Sequence, residues 1–204
     1  MAAGFLLLDR DTMAHTFTEG KVDLKLSNDG GVFTDGVTGT WVSPDNWAPG
    51  DELTASLYIR NDGKERITLA TVDWVNPGHG DPNLLDKVQV ARWRESSGGS
   101  AVDRLAQYAP ACDANGDGVL SAMELIEYGP IPLEAPAAAS GRRGSSSSGN
   151  VLAPGGDPYV IEMAFRFMED AGNEYQGASG SFDLRVSAMG GDHGSDHDSD
   201  DGSD

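Results

Sequence analysis

The sequence has a single cysteine and no long apolar run. Cys112 is the one cysteine among 204 residues, so no disulfide can form within the chain, and a disulfide-stapled miniprotein is excluded. The compact apolar run Phe5–Leu8 is far shorter than the ~20 residues that a membrane-spanning helix needs. It is also too short for a signal-peptide core and has no basic flank. We therefore expect no membrane span in the mature chain.

Basic residues are scarce as well. Lys and Arg total 14 against 33 Asp and Glu, which gives a formal net charge of −19. Nucleic-acid binding requires clustered basic side chains on the phosphates, so we expect no nucleic-acid partner. Adsorption to an anionic membrane surface is disfavoured for the same reason. The hydrophobic share of 38 % is nevertheless high enough for a folded core.

Residues of alternating polarity recur along the chain and predict β-strands. The turn residues Asn61–Lys64 predict a hairpin, because an Asp-Gly pair tolerates the positive φ of a type I′ turn. Long amphipathic helices between strands are missing, which disfavours a parallel α/β sheet. We therefore expect an all-β protein, a jelly-roll-like antiparallel β-sandwich. The alternating segments are 22–26, 53–59, 67–74, 84–93, 161–168 and 182–188.

The middle of the chain follows a different pattern. Apolar residues at helical spacing over 102–109 and 120–126 predict two short helices, and a Ser/Gly-rich flexible stretch follows at 140–149. We therefore expect a small helical insertion in the sandwich. The predicted segments are an N-terminal segment (1–19), the first part of the sandwich (20–95), the insertion (96–156), the last strands (157–189) and a disordered acidic tail (190–204).

A loop between the two predicted helices matches the twelve-residue EF-hand calcium loop. Calcium is a hard cation that takes six to eight oxygen ligands, and the loop has oxygen-bearing residues at the required spacing. Gly118 stands at the sharp turn and Leu120 at the apolar eighth position. A solvated acidic turn is the alternative; because one such loop occurs, a structural calcium ion is favoured over a sensor switch. The expected ligands are Asp113, Asn115, Asp117, the carbonyl of Val119, Ser121 and Glu124.

Three further segments, in order along the chain, carry a family resemblance. Phe17–Leu26 resembles an opening F-x-x-G-x-[LV]-D-L segment, and Trp47–Gly63 resembles an L-x-P-G-D turn, a strand and an x-N-x-G turn. Asn173–Gly177, followed by the alternating segment 181–188, resembles a closing N-x-Y-Q-G segment and final strand. The family is the TasA/camelysin family of secreted fibre-forming bacterial proteins, which also has archaeal bundling-pilin relatives.

The resemblance implies a jelly roll, secretion after leader cleavage and homopolymeric extracellular filaments, as in a pilus or a biofilm matrix. Other matrix components are further candidate partners. In the family's filaments an N-terminal segment inserts as a strand into the next subunit, and such head-to-tail contacts do not close into a ring. The candidate donor strand consists of Ala3, Gly4, Phe5, Leu6, Leu7 and Leu8, an apolar run that would be buried on insertion. Pairing of the same strand within its own subunit stays open.

Two other functions are alternatives. A calcium-dependent carbohydrate-binding module could use the tryptophans as its binding face, although core packing explains them equally well. Some camelysin relatives carry a metalloprotease label, but the His-Glu-x-x-His and Gly-x-Ser-x-Gly motifs are absent, so we do not expect an enzyme. The tryptophans are Trp41, Trp47, Trp74 and Trp93, and the histidines are His15, His79, His193 and His197.

Overall fold

The computed structural model describes residues 7–8, 12–15, 22–42, 47–133 and 152–190. Of residues 7–8, 12–15, 42, 68 and 69 it describes the backbone alone. The predicted acidic tail, apart from Gly190, and the Ser/Gly-rich stretch lie outside these ranges.

The described residues form twelve strands and two α-helices. The strands are β1 (Leu7–Leu8), β2 (Thr12–His15), β3 (Leu24–Ser27), β4 (Gly36–Val37), β5 (Trp41–Val42), β6 (Glu52–Asn61), β7 (Ile67–His79), β8 (Val88–Ser97), β9 (Ser100–Asp103), β10 (Ile131–Leu133), β11 (Tyr159–Phe167) and β12 (Gly180–Gly190). The helices are α1 (Leu105–Cys112) and α2 (Ala122–Tyr128), and short 3-10 turns lie at Leu84–Lys87 and Asn173–Tyr175.

Most strands belong to two five-stranded sheets. The front sheet has the order β3-β6-β11-β8-β9, and the back sheet has the order β10-β7-β12-β2-β4. Strand β1 pairs with β5 in a separate two-stranded piece. Neighbouring strands are antiparallel except for β2 and β12, which run parallel. The prediction of an all-β sandwich with a small helical insertion is confirmed.

The core lies between the inward faces of the two sheets. Alternate residues of β11 point inward, from Tyr159 and Ile161 to Phe167, and each is at most 4 % exposed. The rings of Trp74 from the back sheet and Trp93 from the front sheet meet edge to face, with centroids 5.3 Å apart. A buried face on each sheet is what period-two alternation predicts, because successive side chains of a strand point to opposite sides.

The predicted hairpin at Asn61–Lys64 is wrong. Strand β6 lies in the front sheet and β7 in the back sheet, so the connection crosses between the sheets. Gly63 does not adopt a positive φ. The buried side chain of Asn61 instead holds the crossing, because its Nδ2 donates to the Glu65 carbonyl at 2.7 Å and its Oδ1 accepts from the Gly63 N–H at 3.0 Å.

A two-glycine turn makes a hairpin that the sequence analysis missed. Gly98 and Gly99 have φ of 56° and 81°, the two positive values that a type I′ turn requires. They join β8 to β9, and Ser97 is paired with Ser100. Strand β9 belongs to the front sheet and β10 to the back sheet, and both lie within the predicted insertion 96–156. No helix in the described part of the chain is long and apolar enough to cross a membrane.

Candidate functional site

The predicted calcium loop lies between α1 and α2, as its spacing indicates. Asp113 is the first residue after α1, and its side chain closes the first half of the loop: Oδ1 accepts from the Gly116 N–H at 2.8 Å and Oδ2 from the Gly118 N–H at 2.9 Å. Gly116 and Gly118 have φ of 73° and 83°, so both positions favour glycine. The turn at Gly118 follows the predicted pattern.

The next two predicted ligands are held by the backbone in the same way. Oδ1 of Asn115 accepts from the Asp117 N–H at 2.8 Å. Oδ1 of Asp117 accepts from the Val119 N–H, also at 2.8 Å. These bonds link alternate side chains of the loop to amides two residues ahead, which gives the loop a defined conformation.

The last two predicted ligands form the N-terminus of α2. Ser121 caps the helix, and its hydroxyl accepts from the Glu124 N–H at 3.2 Å. Oε2 of Glu124 accepts from the Ser121 N–H at 2.9 Å, which completes a capping box. Oε1 of Glu124 accepts from the Asn115 N–H at 3.2 Å, so this buried carboxylate ties the two ends of the loop together.

The atoms of the predicted ligands are of the kind that calcium binds. The side-chain atoms concerned are oxygens, and each carboxylate oxygen that accepts one N–H has a further lone pair for a cation. No three His, Cys, Asp or Glu side chains in the described ranges stand close enough together to hold a metal ion. Ion binding therefore requires the carboxylates of Asp113, Asp117 and Glu124 to draw together from their present positions.

Asp86 is a further acidic residue beside the loop. It lies in the 3-10 turn before β8 and lines two clefts that border the loop, one of about 460 Å³ with Asp117 and one of about 340 Å³ with Glu124. Its Oδ1 accepts from Asn83 Nδ2 at 3.1 Å. The sequence analysis missed Asp86, because nothing in its local pattern connects it with a loop so much later in the chain.

The N-terminal segment pairs with strands of its own chain. Leu7 and Leu8 of the predicted donor strand are paired with Val42 and Trp41. The other predicted donor residues, Ala3, Gly4, Phe5 and Leu6, lie outside the described residues. The strand that joins the back sheet is β2, a few residues further along within the predicted N-terminal segment (1–19).

A buried polar cluster connects the sandwich to the insertion. Nε of Arg104, the residue before α1, donates to Oε2 of Glu95 on β8 at 2.7 Å. The Tyr159 hydroxyl on β11 donates to the same oxygen, and Trp93 Nε1 donates to the other oxygen at 3.2 Å. Glu95 and Tyr159 are fully buried and Arg104 is 3 % exposed. We call these four residues the Glu95 cluster.

The electrostatics of the Glu95 cluster follow from its burial. Burial raises the pKa of Glu95, and the hydrogen bonds from Tyr159 and Arg104 offset part of that rise. Burial alone would lower the pKa of Arg104, but its hydrogen bond to Glu95 raises it overall, so the guanidinium stays charged. The cluster is thus a buried ion pair whose partners satisfy each other.

Cys112 ends α1 and is 2 % exposed. Burial, followed by the negative charge of Glu124, raises its pKa to about 11. Since the thiolate is the reactive form, we expect the native thiol to react with Ellman's reagent at pH 8 roughly a hundredfold more slowly than in denaturant. Equal rates in native buffer and denaturant would contradict this assignment.

All four tryptophans are core residues, each at most 3 % exposed. The two described histidines lie on different strands. His79 is exposed at the end of β7, and His15 is the last residue of β2. His193 and His197 lie outside the described residues.

No protein-family model matches the chain, and no curated protein matches it significantly.

Proposed function

We propose that this protein is a secreted structural subunit that polymerises into extracellular filaments by donating its N-terminal segment to the next subunit. A structural calcium ion in the loop 113–124 orders the insertion. The observation that carries the proposal is the position of β2, which lies inside the back sheet between β12 and β4.

The β2 strand of another copy could occupy the same position without changing the back sheet. Residues Thr12–His15 pair in parallel with Leu184–Ser187, and Thr12 and Met13 also pair with β4. A strand supplied by a neighbour would make the same main-chain hydrogen bonds on both sides. Because the exchanged contacts are the same within and between subunits, the exchange is a low-cost route to assembly.

The apolar run before β2 supports donation. Leu7 and Leu8 pair with the two residues of β5, Val42 and Trp41. Each Leu or Phe side chain of the run that is buried against a neighbour contributes about 1.5–3 kcal/mol to the contact between subunits. Because exchange joins two chains, the exchanged form is favoured as protein concentration rises.

The parallel register suggests a direct test of strand exchange. His15 and Ser187 are paired residues of β2 and β12. In a His15→Cys/Ser187→Cys variant, an intrachain disulfide would fix β2 in its own subunit. We expect the oxidised variant to remain monomeric in electron microscopy and sedimentation, and to form filaments after reduction.

The single variants His15→Cys and Ser187→Cys are the matched controls and should form filaments under both conditions. The native Cys112 interferes little, because its thiol is buried. Filaments of the fully oxidised double variant would overturn the exchange mechanism.

No observation favours the carbohydrate-binding alternative. A sugar-binding face needs exposed aromatic rings, and the tryptophans that suggested it are buried in the core.

A further inference from the structure

The turn that follows β3 lies on the outer face of the front sheet. Gly30 is so close to the ring of Tyr58, on the outer face of β6, that a Cβ there would be 3.1 Å from Cε1. Cζ of Arg60, two residues further along β6, lies 3.9 Å from the centroid of the Phe33 ring. Residues 28–33, which we call the front turn, therefore raise one side of this face, above β3 and β6.

The front turn is ordered by its own hydrogen bonds and exposes an apolar side chain. Oδ1 of Asp29 accepts from the Gly31 N–H at 2.8 Å and from the Val32 N–H at 3.3 Å. The Ser27 hydroxyl accepts from the Gly30 N–H at 3.0 Å. Val32 is nevertheless 71 % exposed, more than any other large apolar side chain in the described ranges. Because the turn is already ordered, a contact of Val32 with another molecule would cost little ordering entropy.

The opposite side of the same face is lower. The strand register aligns Tyr58, Val160, Ser96 and Ala101 in one row across β6, β11, β8 and β9. At one end of this row Tyr58 supports the front turn. At the other end the row finishes in the small side chains of Ser96 and Ala101. The face thus has a raised side and a recessed side, with the central strand β11 between them.

The two sides also differ in charge. Residues 23–35, on the raised side, include three Asp and one Lys. The hydrogen bond from the Gly31 N–H holds the pKa of Asp29 below its ordinary value, so this carboxylate stays ionised. The recessed side has an excess of positive charge in a chain that carries −19 overall. Its outward-facing charged residues, on β8, β9 and β11, are Arg92, Arg94, Arg166, Asp103 and Glu162.

We propose that the outer face of the front sheet is a self-pairing surface, through which two copies of the chain associate face to face about a two-fold axis along β11. Such an axis places β3 and β6 of one copy over β9 and β8 of the other. The raised, acidic side of each copy then fills the recessed, arginine-bearing side of its partner. In this arrangement Val32 of one copy meets Ser96 and Ala101 of the other.

The register also brings opposite charges together across the two-fold axis. Asp29 follows β3 by two residues, which places it near the level of Ser56 on β6. Arg94 stands at the level of Ser56 as well, because both are paired with Glu162 of β11. Asp29 of one copy therefore comes opposite Arg94 of the other, and the contact occurs twice in the pair.

The face is large enough for a specific contact. The three central strands β6, β11 and β8 have 10, 9 and 10 residues. With strands about 4.8 Å apart and rising about 3.3 Å per residue, the face with its shorter edge strands covers roughly 600 Å² per copy. Two such faces bury about 1,200 Å², the lower end of the range for stable interfaces.

The pairing goes beyond the proposed function and depends on neither strand exchange nor calcium. Strand β2 enters the back sheet, so the outer face of the front sheet is not occupied by the exchange. In a filament, the same pairing would join subunits of neighbouring filaments side by side.

The test is sedimentation of the oxidised His15→Cys/Ser187→Cys variant, in which strand exchange is blocked. We expect a monomer–dimer equilibrium at concentrations up to roughly millimolar. Adding Arg94→Glu or Val32→Lys to this variant should each weaken the dimer roughly tenfold or more, because each places like charges opposite one another. The two substitutions change the net charge in opposite directions, so overall repulsion between the chains cannot explain both effects.

A mixture of the two substituted proteins should associate again. Glu at position 94 of one copy then meets Lys at position 32 of the other, and the second contact of the pair is the native one. The control is Lys64→Glu, which changes the net charge as Arg94→Glu does but lies on an exposed turn outside this face. It should leave the dimer nearly unchanged.

Circular dichroism and thermal unfolding check that each variant is folded. Val32 is exposed, so Val32→Lys should keep the Tm of the parent protein. A parent protein that stays monomeric at millimolar concentration would overturn the proposal. A dimer unaffected by either substitution, or folded variants whose mixture stays monomeric, would do the same.

Discussion

Glu95→Gln is expected to lower the free energy of unfolding by about 3–5 kcal/mol, because it leaves the buried Arg104 without its carboxylate. For a chain of this length, the loss corresponds to a fall in Tm of roughly 6–20 °C. Thermal and denaturant unfolding followed by circular dichroism would measure it. The loss of stability should extend to the insertion, because Arg104 is the residue directly before α1.

Glu162→Gln is the matched control for this substitution. Glu162 lies on the outer face of β11, where Oε1 is 3.5 Å from Nη1 of the exposed Arg92. Exposed pairs of this kind contribute ~0–1 kcal/mol. If the two Glu→Gln variants were equally stable, the Glu95 cluster would not stabilise the connection between the sandwich and the insertion.

Replacing the ion pair as a whole should cost less than breaking it. In a Glu95→Gln/Arg104→Met variant no charge is left buried and unpaired, and the glutamine carbonyl can still accept from Tyr159 or Trp93, so we expect part of the stability lost in Glu95→Gln to return. The unfolding midpoints of the two variants, compared in one buffer, test this expectation.

Calcium is expected to stabilise the wild-type protein by about 2.7 kcal/mol at a free concentration of 100 times its Kd. The corresponding rise in Tm is roughly 5–10 °C. Glu124→Gln should remove most of this rise, because it takes a charged oxygen from the loop and weakens the bond that joins its two ends. Calorimetric titration and thermal unfolding with and without chelator measure affinity and stability separately.

Glu162→Gln serves again as the control, since Glu162 lines neither cleft beside the loop. It should retain the calcium-dependent rise in Tm. A Glu124→Gln variant with wild-type affinity would show that the loop is not the calcium site.

The long strands could be predicted from the sequence because their alternation is strict. The segments around Leu57 and Ile161 show it over many residues, and the structure places both in the front sheet. Strand β2 could not be predicted, because Thr12–His15 is short and has no alternating pattern. The turn at Asp62-Gly63 indicates only that the chain reverses direction, and it does not indicate which sheet the next strand joins.

The loop could be predicted in more detail than its surroundings. Its conformation depends on local spacing, so the positions of Asp113 to Glu124 are enough to indicate it. The pairing of Glu95 with Arg104 depends on the register of β8 and β9 and on the turn at Gly98. Such a contact follows from tertiary geometry, which residue types alone do not specify.

The parallel alignment of β2 with β12 has a consequence for any filament built by strand donation. A strand that can enter only in one direction gives every subunit the same orientation along the fibre. The fibre is then polar: its two ends are chemically different, one with an open β12 edge and the other with an unused N-terminal segment. Growth at the two ends should therefore proceed at different rates, and a short peptide containing Thr12–His15 should stop growth at one end alone.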